Sequence, residues 1–309
     1  MSRTIEVLQT VLPVLIMIGI GMLCRTRGLI SREGVNALKS VVVNIALPAV
    51  LVSAFATTQY TFMDVLIPLM MYAVCMAAWA LGKACMRIPG LSSRFVPFLT
   101  TGFEAGMLGY ALFQMLYGSA RTAEFARIDL GQVLFVFTLY KVLLGLEGKG
   151  KEATGGLLKE MLLSPIIIAI AAGILIGASG LYQSLIPSGI SGIFDSCTDF
   201  ISAPTSAMIL LTIGYDLVPG DIPWISVSRV VALRFAIMML LRTLFLAIVH
   251  LIWPEAALDA AVNVMFILPP PFVLPVFADD ADQRVYVSSA LSVSTIVAVA
   301  GFAVLAAVG

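Results

Sequence analysis

The amino-acid sequence predicts an all-α protein that crosses a lipid bilayer ten times, and its composition is the first reason. Of the 309 residues, 60% are hydrophobic and only 12% are charged, whereas soluble domains carry about 25% charged residues. So few charges cannot cover a soluble surface of this size, which argues against a cytosolic enzyme, and the apolar content argues against disorder. The net charge is zero, so the sequence predicts no nucleic-acid partner.

Apolar runs separated by short polar breaks are the second reason. At about 20 apolar residues in a span and about 10 in a connection, a chain of 309 residues accommodates roughly ten spans. The predicted spans are residues 7–24, 38–56, 63–86, 95–117, 128–146, 161–179, 193–214, 226–252, 257–278 and 284–308. The longest polar break, residues 147–160, falls near mid-chain and divides the spans into five and five.

An internal repeat is the third reason. At a constant offset of 152 residues, five residues of the first half coincide with identical residues of the second half. The pairs are Pro13 with Pro165, Gly21 with Gly173, Leu23 with Leu175, Gly28 with Gly180, and Leu29 with Leu181. Because five is an odd number of spans, the second copy is inverted in the membrane, an architecture of secondary transporters. We therefore expect a first repeat over residues 1–150 and an inverted second repeat over residues 151–309.

Lysine and arginine residues predict the orientation, because short cytoplasmic loops retain positive charge. Fourteen of the 18 basic residues fall on the side of the odd-numbered loops. They are Arg25, Arg27, Arg32, Lys39, Lys83, Arg87, Arg94, Lys141, Lys149, Lys151, Lys159, Arg229, Arg234 and Arg284. Both termini are therefore expected outside the cell, with the mid-chain loop in the cytoplasm and the bacterial inner (plasma) membrane as the location. Residues 1–6 lead into an apolar run without a cleavage site, so we interpret them as part of a retained first helix.

Cysteine and histidine usage implies no cofactor and no metal. The four cysteines, Cys24, Cys75, Cys85 and Cys197, form no CxxC pair, and His250 is the only histidine. A zinc or haem site, a disulfide framework and a thiol redox centre are therefore all disfavoured.

Two spans contain residues that interrupt a helix, and they hold the same position in the two repeats. Residues 100–109 of the fourth span include Gly106 and Gly109, and glycine loosens a helix. In the ninth span, the consecutive Pro269, Pro270 and Pro271 cannot continue a regular helix. Backbone groups freed at membrane depth must find partners, so both breaks are expected to line a cavity for the substrate. Simple kinks are the alternative interpretation.

Ionisable residues within spans are candidates for function, because an unpaired charge there costs about 2.5–3.5 kcal/mol or more. Glu104 lies in the middle of the fourth-span break, and two interpretations stay open. It either carries a proton or senses the substrate, or it accepts hydrogen bonds from the broken backbone. Arg242 of the eighth span either pairs with an anionic substrate or neutralises one of the acids Asp195, Asp199 and Glu104.

Three further polar positions complete the candidate site. Asp195 and Asp199 lie four residues apart on one face of the seventh span, and Asp199 is expected to be the deeper of the two. Asn44 precedes Pro48 in the second span, where its amide can satisfy a broken helix or contact the ligand. The charged residues near span ends are expected to reach toward the interface. They are Asp64, Lys83, Lys141 and Arg234.

Several stretches of the sequence resemble the auxin efflux carrier family over almost the whole chain. They are residues 21–25 (GMLCR), 27–30 (RGLI), 43–48 (VNIALP), 158–165 (LKEMLLSP) and 288–295 (SSALSVST), with Leu38 and Gly173. The family contains plant auxin exporters and bacterial permeases for malonate, malate and other organic acids. It is grouped with bile-acid, arsenite and riboflavin transporters.

The resemblance implies ten helices in two inverted five-helix repeats, with a scaffold bundle and a transport bundle that are each built from both repeats. It also implies that helices 4 and 9 cross and carry the substrate site. One position departs from the family pattern. The family usually has Asn at the fourth-helix crossover, where this chain has Glu104, followed by Gly106, Gly109 and Ala111. An acid in place of an amide is compatible with proton coupling, a cationic or zwitterionic substrate, or another binding mode.

The leading hypothesis is a secondary carrier for a small organic anion such as a mono- or dicarboxylate, moved by an elevator-like or rocking motion of one bundle. The N-termini of the broken half-helices would offer partial positive charge to a carboxylate. The alternatives are a membrane-embedded sensor or channel, and a membrane enzyme using Glu104, Asp195 and Asp199, although no catalytic constellation favours an enzyme. Substrate identity, direction, coupling ion and oligomeric state (monomer or homodimer) stay open.

Overall fold

The computed structural model describes residues 3–58, 63–140, 142–144, 163–216, 222–278 and 281–308. Within these ranges the secondary structure is helical and contains no strand, which confirms the all-α class. The predicted mid-chain break at residues 147–160, and with it the boundary between residues 150 and 151, lies outside the described residues.

Fourteen α-helices are described. Those of the first half are α1 (Arg3–Thr26), α2 (Arg32–Val41), α3 (Leu47–Ala56), α4 (Met63–Cys85), α5 (Val96–Leu99), α6 (Tyr110–Tyr117) and α7 (Thr122–Phe135). Those of the second half are α8 (Pro165–Ala178), α9 (Leu181–Leu185), α10 (Ile190–Ser202), α11 (Thr205–Asp216), α12 (Trp224–Ile252), α13 (Asp259–Ile267) and α14 (Ala281–Val308). Single π-helical turns at Val42–Ala46, Ala105–Gly109 and Val136–Tyr140 join α2 to α3, lead into α6 and extend α7.

Five helical stretches in the described part of the chain are long and apolar enough to cross a membrane. They are Arg32–Ala56, Asp64–Cys85, Ile190–Asp216, Trp224–Ile252 and Asp282–Val308. Leu12–Thr26 and Pro165–Ala178 are apolar but shorter. The chain is therefore an α-helical membrane protein, while the full count of ten spans and their inverted arrangement stay a prediction.

The opening helices of the two halves end in the same way. Gly28 follows α1 with φ +63°, and Gly180 follows α8 with φ +71°. Only glycine adopts this left-handed conformation without strain, so both residues stop a helix. The repeat pairs these two glycines at its offset of 152 residues, so the internal similarity extends to backbone conformation.

Each opening helix packs on a helix of the other half. A Cβ at Gly21 of α1 would overlap the carbonyl oxygen of Leu211 and lie 2.7 Å from the nitrogen of Tyr215, both in α11. A Cβ at Gly173 of α8 would lie 2.7 Å from Phe55 Cβ in α3. Gly21 and Gly173 are again a repeat pair, so corresponding glycines allow corresponding close approaches of backbones.

One predicted interfacial charge is buried instead. Asp64, at the start of α4, is only 6% exposed, and its Oδ1 lies 2.5 Å from Nε of Arg127 in α7. The prediction that Asp64 reaches toward the interface is therefore wrong, because a partner on a neighbouring helix compensates for its burial. Lys83 is exposed beside the ring of Trp79, and Lys141 lies outside the described residues.

Candidate functional site: a crossing of two broken helices

Two segments of the structure leave the helical conformation at the predicted positions. In the fourth span, α5 ends at Leu99 and the next helical turn starts at Ala105. In the ninth span, α13 ends at Ile267 and the next turn, a 3-10 turn, starts at Leu274. The three prolines between them, Pro269, Pro270 and Pro271, are buried and non-helical. Both predicted helix breaks are thus confirmed.

The two broken segments touch each other. The backbone N–H of Glu104 donates to the carbonyl oxygen of Pro269 at 2.9 Å. Gly102 has φ +67°, and a Cβ there would lie only 2.9 Å from Cγ of Pro271. A residue with a side chain would be strained by the backbone conformation and would collide with the proline ring. Glycine in one break therefore accommodates proline in the other.

Arg234 of α12 binds the ends of the first half-helices. Its guanidinium donates to four carbonyl oxygens, and the side chain also lies over the ring of Phe103 at 5.5 Å. The acceptors are Leu99 at 3.1 Å, Thr101 at 3.4 Å, Gly102 at 2.7 Å and Leu268 at 2.9 Å. These carbonyls lie at or just after the ends of α5 and α13, where a helix leaves its last acceptors unpaired and carries partial negative charge. A full positive charge therefore satisfies both helix ends.

The position of Arg234 corrects the sequence interpretation. We expected this residue to reach toward the interface from the end of its span, but it is 5% exposed and lies at the crossing. The described helix begins at Trp224, which places Arg234 well inside it. Arg242, the arginine that the sequence favoured, donates instead to Oδ1 of Asn263 in α13, at 2.8 Å from its Nε.

Arg242 therefore has a different structural partner from those predicted. Its pairing with Asp195, Asp199 or Glu104 is wrong, because the side-chain hydrogen bonds go to Asn263. Asn263 is a polar residue within the predicted ninth span, so the sequence suggests that it faces other helices but does not show which residue it contacts. A role of Arg242 toward the substrate stays a prediction.

Glu104 lies where the second half-helices start. Its carbonyl oxygen accepts from the N–H groups of Leu108 at 3.2 Å and Gly109 at 3.1 Å, which begins the helix that continues as α6. Its carboxylate oxygen Oε2 accepts from the N–H of Phe272 at 2.6 Å, just after the prolines. Negative charge is favoured at such helix starts. The hydrogen-bonding role toward the broken backbone is thus observed, while transfer of a proton stays a prediction.

The two glycines after Glu104 permit close packing. A Cβ at Gly109 would lie 2.6 Å from Cζ of Phe125 and 2.7 Å from Cδ1 of Leu268. A Cβ at Gly106 would lie 3.2 Å from Cδ2 of Leu47, at the start of α3. Gly109 therefore allows close packing at the crossing, and Gly106 faces the start of α3, just after the π-helical turn that contains Asn44.

Asn44 lies in the π-helical turn between α2 and α3. Its Nδ2 donates to the carbonyl oxygen of Ser40 at 2.8 Å and to the hydroxyl of Ser40 at 3.0 Å. The amide thus supports the irregular helix, one of the two roles that the sequence suggested. Its side chain is exposed, so a ligand contact stays a prediction.

The two acids of the seventh span differ in burial. Asp195 is partly buried and accepts a hydrogen bond from the hydroxyl of Tyr182 at 2.9 Å, whereas Asp199 is exposed. Asp195 is therefore the less exposed of the two acids, while the deeper position of Asp199 in the membrane stays a prediction. Tyr182 lies outside the predicted spans, and its pKa is raised by burial and by the hydrogen bond to Asp195.

Two cavities lie at opposite ends of the same helical stretches. The basic cavity, about 330 Å³, lies at the start of α2 and the end of α11. Its polar lining residues are Arg32, Lys39, Asp216, Ser288, Ser292 and Thr295, and Phe272 and Pro275 connect it to the crossing. The acidic cavity, about 480 Å³, lies at the end of α3 and the start of α10. Its polar lining residues are Ser53, Thr57, Gln114, Ser119, Thr122, Tyr182, Asp195, Asp199 and Ser202.

A buried acid that the sequence interpretation missed lies beside the crossing. Asp129 of α7 is 2% exposed and accepts hydrogen bonds from the hydroxyl of Tyr110 and from Nε2 of Gln132, each at 2.9 Å. The other amide atom, Oε1 of Gln132, accepts from the N–H of Phe103 at 3.4 Å. The available signal was an acid at the edge of an apolar run, which is also typical of a solvated helix end.

Comparison with known proteins shows that the chain is similar to membrane transporters. Residues 6–155 match the family described as "Membrane transport protein", which confirms the resemblance to the auxin efflux carrier family over that part of the chain. An uncharacterized transporter of Methanocaldococcus jannaschii is 26% identical over 220 residues, 69% of either chain. An uncharacterized transporter of Methanothermobacter thermautotrophicus is 24% identical over 214 residues, covering 68% of this chain and 67% of the relative.

Proposed function

We propose that this protein is a secondary active transporter of a small organic anion, a mono- or dicarboxylate, and that the helix crossing is its substrate site. The observation that carries the proposal is the sorting of charge at the crossing. Arg234 lies at the helix ends that carry partial negative charge, and Glu104 lies at the helix starts that carry partial positive charge. Helix starts at membrane depth are the positions at which carriers bind carboxylates.

Alternating access is the proposed mechanism, with ten spans in two inverted repeats and one bundle moving against the other. The reciprocal packing of Gly21 on α11 and of Gly173 on α3 supports a two-fold relation between the halves. The basic cavity, which is lined by Phe272, supports access to the crossing from one side, and the acidic cavity opens at the other end of α2–α3 and α10–α11. An elevator-like or rocking motion would then open one cavity while it closes the other.

Proton coupling follows from the position of Glu104. Its carboxylate already accepts from the N–H of Phe272, in the turn after the prolines, and a substrate carboxylate at the same N–H would compete with it. Protonation of Glu104 removes this competition. One proton would then move in the same direction as each bound anion, and a pH gradient would drive uptake.

A cationic or zwitterionic substrate is the second candidate, and the same residue favours it. An ionised Glu104 would bind an ammonium group directly, without protonation. The two candidates differ in the charge of the transported molecule and in the sign of the response to pH.

The experiment is uptake into proteoliposomes of labelled monocarboxylates, dicarboxylates and amino acids, with and without a pH gradient. We expect uptake of a carboxylate that accelerates when the outside is more acidic, and Glu104→Gln should retain exchange at equal pH but lose the acceleration. Unchanged acceleration in Glu104→Gln would disprove coupling through this residue. Uptake of amines or amino acids with no carboxylate uptake would establish the second candidate.

A thiol introduced by Gly150→Cys should react only from the cytoplasm if both termini are outside.

A further inference from the structure

Three basic side chains converge on the end of α11. Arg32 Nη1 lies 2.5 Å from Oδ1 of Asp216, and Lys39 pairs with the other carboxylate oxygen. Arg25 donates to the carbonyl oxygen of Tyr215 at 3.3 Å. The helix end carries partial negative charge, but a single carboxylate faces the two cations that line the basic cavity. The lining therefore keeps an excess of positive charge.

The opposite wall of the basic cavity presents hydroxyl groups. Ser288, Ser292 and Thr295 of α14 are spaced by four and three residues, so they share one helix face. The Thr295 hydroxyl already donates to the carbonyl oxygen of Leu291 at 2.8 Å. Ser288 and Ser292 are therefore the hydroxyls that can donate to a carboxylate, and the cations across the cavity add charge to the same ligand. A volume of about 330 Å³ accommodates a small organic acid.

Asp216 holds its carboxylate where such an acid would bind. Asp216 is the last residue of α11. Its side chain is 37% exposed, so it faces open space as well as the two cations. A free carboxylate entering the cavity would find Arg32 and Lys39 already engaged by this internal acid. Arg32 and Lys39 are themselves 55% and 31% exposed, so both are reachable from the cavity.

We propose that the basic cavity is an anion-binding site on the way to the crossing, and that Asp216 is an internal competitor for its two cations. The site rests on the proposed function, because Phe272 lines the cavity and its N–H is also the partner of Glu104 at the crossing. Its ligand is a small organic acid. A carboxylate at one end of the ligand replaces the carboxylate of Asp216 as the partner of Lys39 and Arg32, and the other end contacts the hydroxyl groups of α14.

The first test measures the charge of the cavity without any knowledge of the substrate. Ser288→Cys is introduced in a chain without Cys85 and Cys197, and its reaction rates with an anionic and a cationic methanethiosulfonate are compared. We expect the anionic reagent to gain at least ~5-fold relative to its reaction with free cysteine. Ser202→Cys in the acidic cavity is the matched control, and there the cationic reagent should gain. Equal preferences at the two cysteines would overturn the proposal.

The second test addresses Asp216. Malonate and acetate, each at a series of concentrations, are used to slow the labelling of Ser288→Cys. Asp216→Asn keeps the shape but removes the charge, so half-maximal protection should need about 3–10-fold less of the acid. In Lys39→Gln, half-maximal protection should need a higher concentration of the acid, because one of the two cations is lost. If Asp216→Asn also needs more, Asp216 positions the cations and the competitor role is disproved.

The two tests separate this inference from the proposed function. An anion preference at Ser288→Cys together with no carboxylate transport in liposomes would refute the function and leave the binding site intact. Carboxylate transport with no anion preference at Ser288→Cys would refute the site alone.

Discussion

The crossing has two charged sides, and they are built differently. On the carbonyl side, Arg234 is almost fully buried and donates to four backbone oxygens. On the amide side, Glu104 is only partly buried, and its carboxylate accepts from the N–H of Phe272, a residue that also lines the basic cavity. The comparison indicates that Arg234 holds the crossing together, whereas the N–H that binds Glu104 is the one for which the proposed substrate would compete.

The difference follows from the chemistry of the two breaks. The glycine break keeps its N–H groups and adopts a left-handed turn at Gly102, while the proline break has lost the donors of three residues. Carbonyl groups therefore outnumber N–H groups at the crossing. A buried guanidinium has five N–H donors and can bind several of these carbonyl groups at once. The carboxylate of Glu104 accepts from the backbone N–H of Phe272.

The largest effect is expected from Arg234→Met. It removes the donor of four carbonyls, and each buried group left without a partner costs about 1–3 kcal/mol. Unfolding in detergent should therefore occur at a much lower temperature, with a loss of more than about 4 kcal/mol, and transport should cease. Arg242→Met is the matched control, because it removes a partly buried arginine of the same helix whose side-chain partner among the described residues is Asn263. Equal losses in the two variants would remove the special role of Arg234.

Gly102→Ala is expected to have the next largest effect. The methyl group combines a left-handed backbone, which costs about 1–2 kcal/mol, with a collision against Pro271 that adds about 1–3 kcal/mol. Gly118→Ala separates the two contributions, since Gly118 has φ +81° but no atom within 4 Å of the added Cβ. Thermal unfolding of both variants provides the measurement. If Gly118→Ala is as damaging as Gly102→Ala, the close contact of the two breaks contributes nothing.

A smaller effect on stability is expected from Glu104→Gln. The amide oxygen still accepts from Phe272, so only the difference between a charged and a neutral acceptor is lost, about 1 kcal/mol. This variant should unfold close to the wild type even though it loses its response to a pH gradient. A loss of stability comparable to that of Arg234→Met would show that both sides of the crossing are structural.

The smallest effect is expected from Arg242→Lys. The lysine keeps the charge and one hydrogen bond to Asn263, so stability should change by less than about 1 kcal/mol. Apparent affinity for a transported carboxylate should fall only if Arg242 receives the substrate. An Arg242→Lys, Asn263→Ala cycle measures the coupling between these two residues, and a coupling near zero would make their hydrogen bond incidental.

The breaks in the helices were predictable from the sequence, because their causes are local. Three consecutive prolines remove three donors whatever surrounds them, and residues 100–109 concentrate glycine within one apolar run. The family resemblance had a similar local basis, in short stretches such as residues 43–48. The repeat could be read because glycines at close helix contacts, such as Gly21 and Gly173, are hard to replace.

The partners of the charged residues were not predictable in the same way. Arg234 and Arg242 lie eight residues apart on one helix, and only the position of the crossing distinguishes them. Asp64 and Asp129 are buried against side chains of other helices, which a hydropathy pattern does not report. The basic cavity depends on Arg32, Lys39 and Asp216 coming together across more than 170 residues of chain. A charged residue near a helix end therefore has to be placed in three dimensions before its role can be assigned.

The exchange of opening helices between the halves has a consequence for how the protein is made. When α1 leaves the ribosome, its packing partner α11 has not yet been synthesised, since nearly the whole of the intervening chain from Thr26 to Thr205 must come first. The surface around Gly21 must meanwhile face lipid or an insertion factor. When only the first half has been synthesised, α1 lacks its packing partner α11, and α3 likewise lacks its partner α8. Assembly therefore has to be completed after both halves are in the bilayer, as the joining of two interlocked parts.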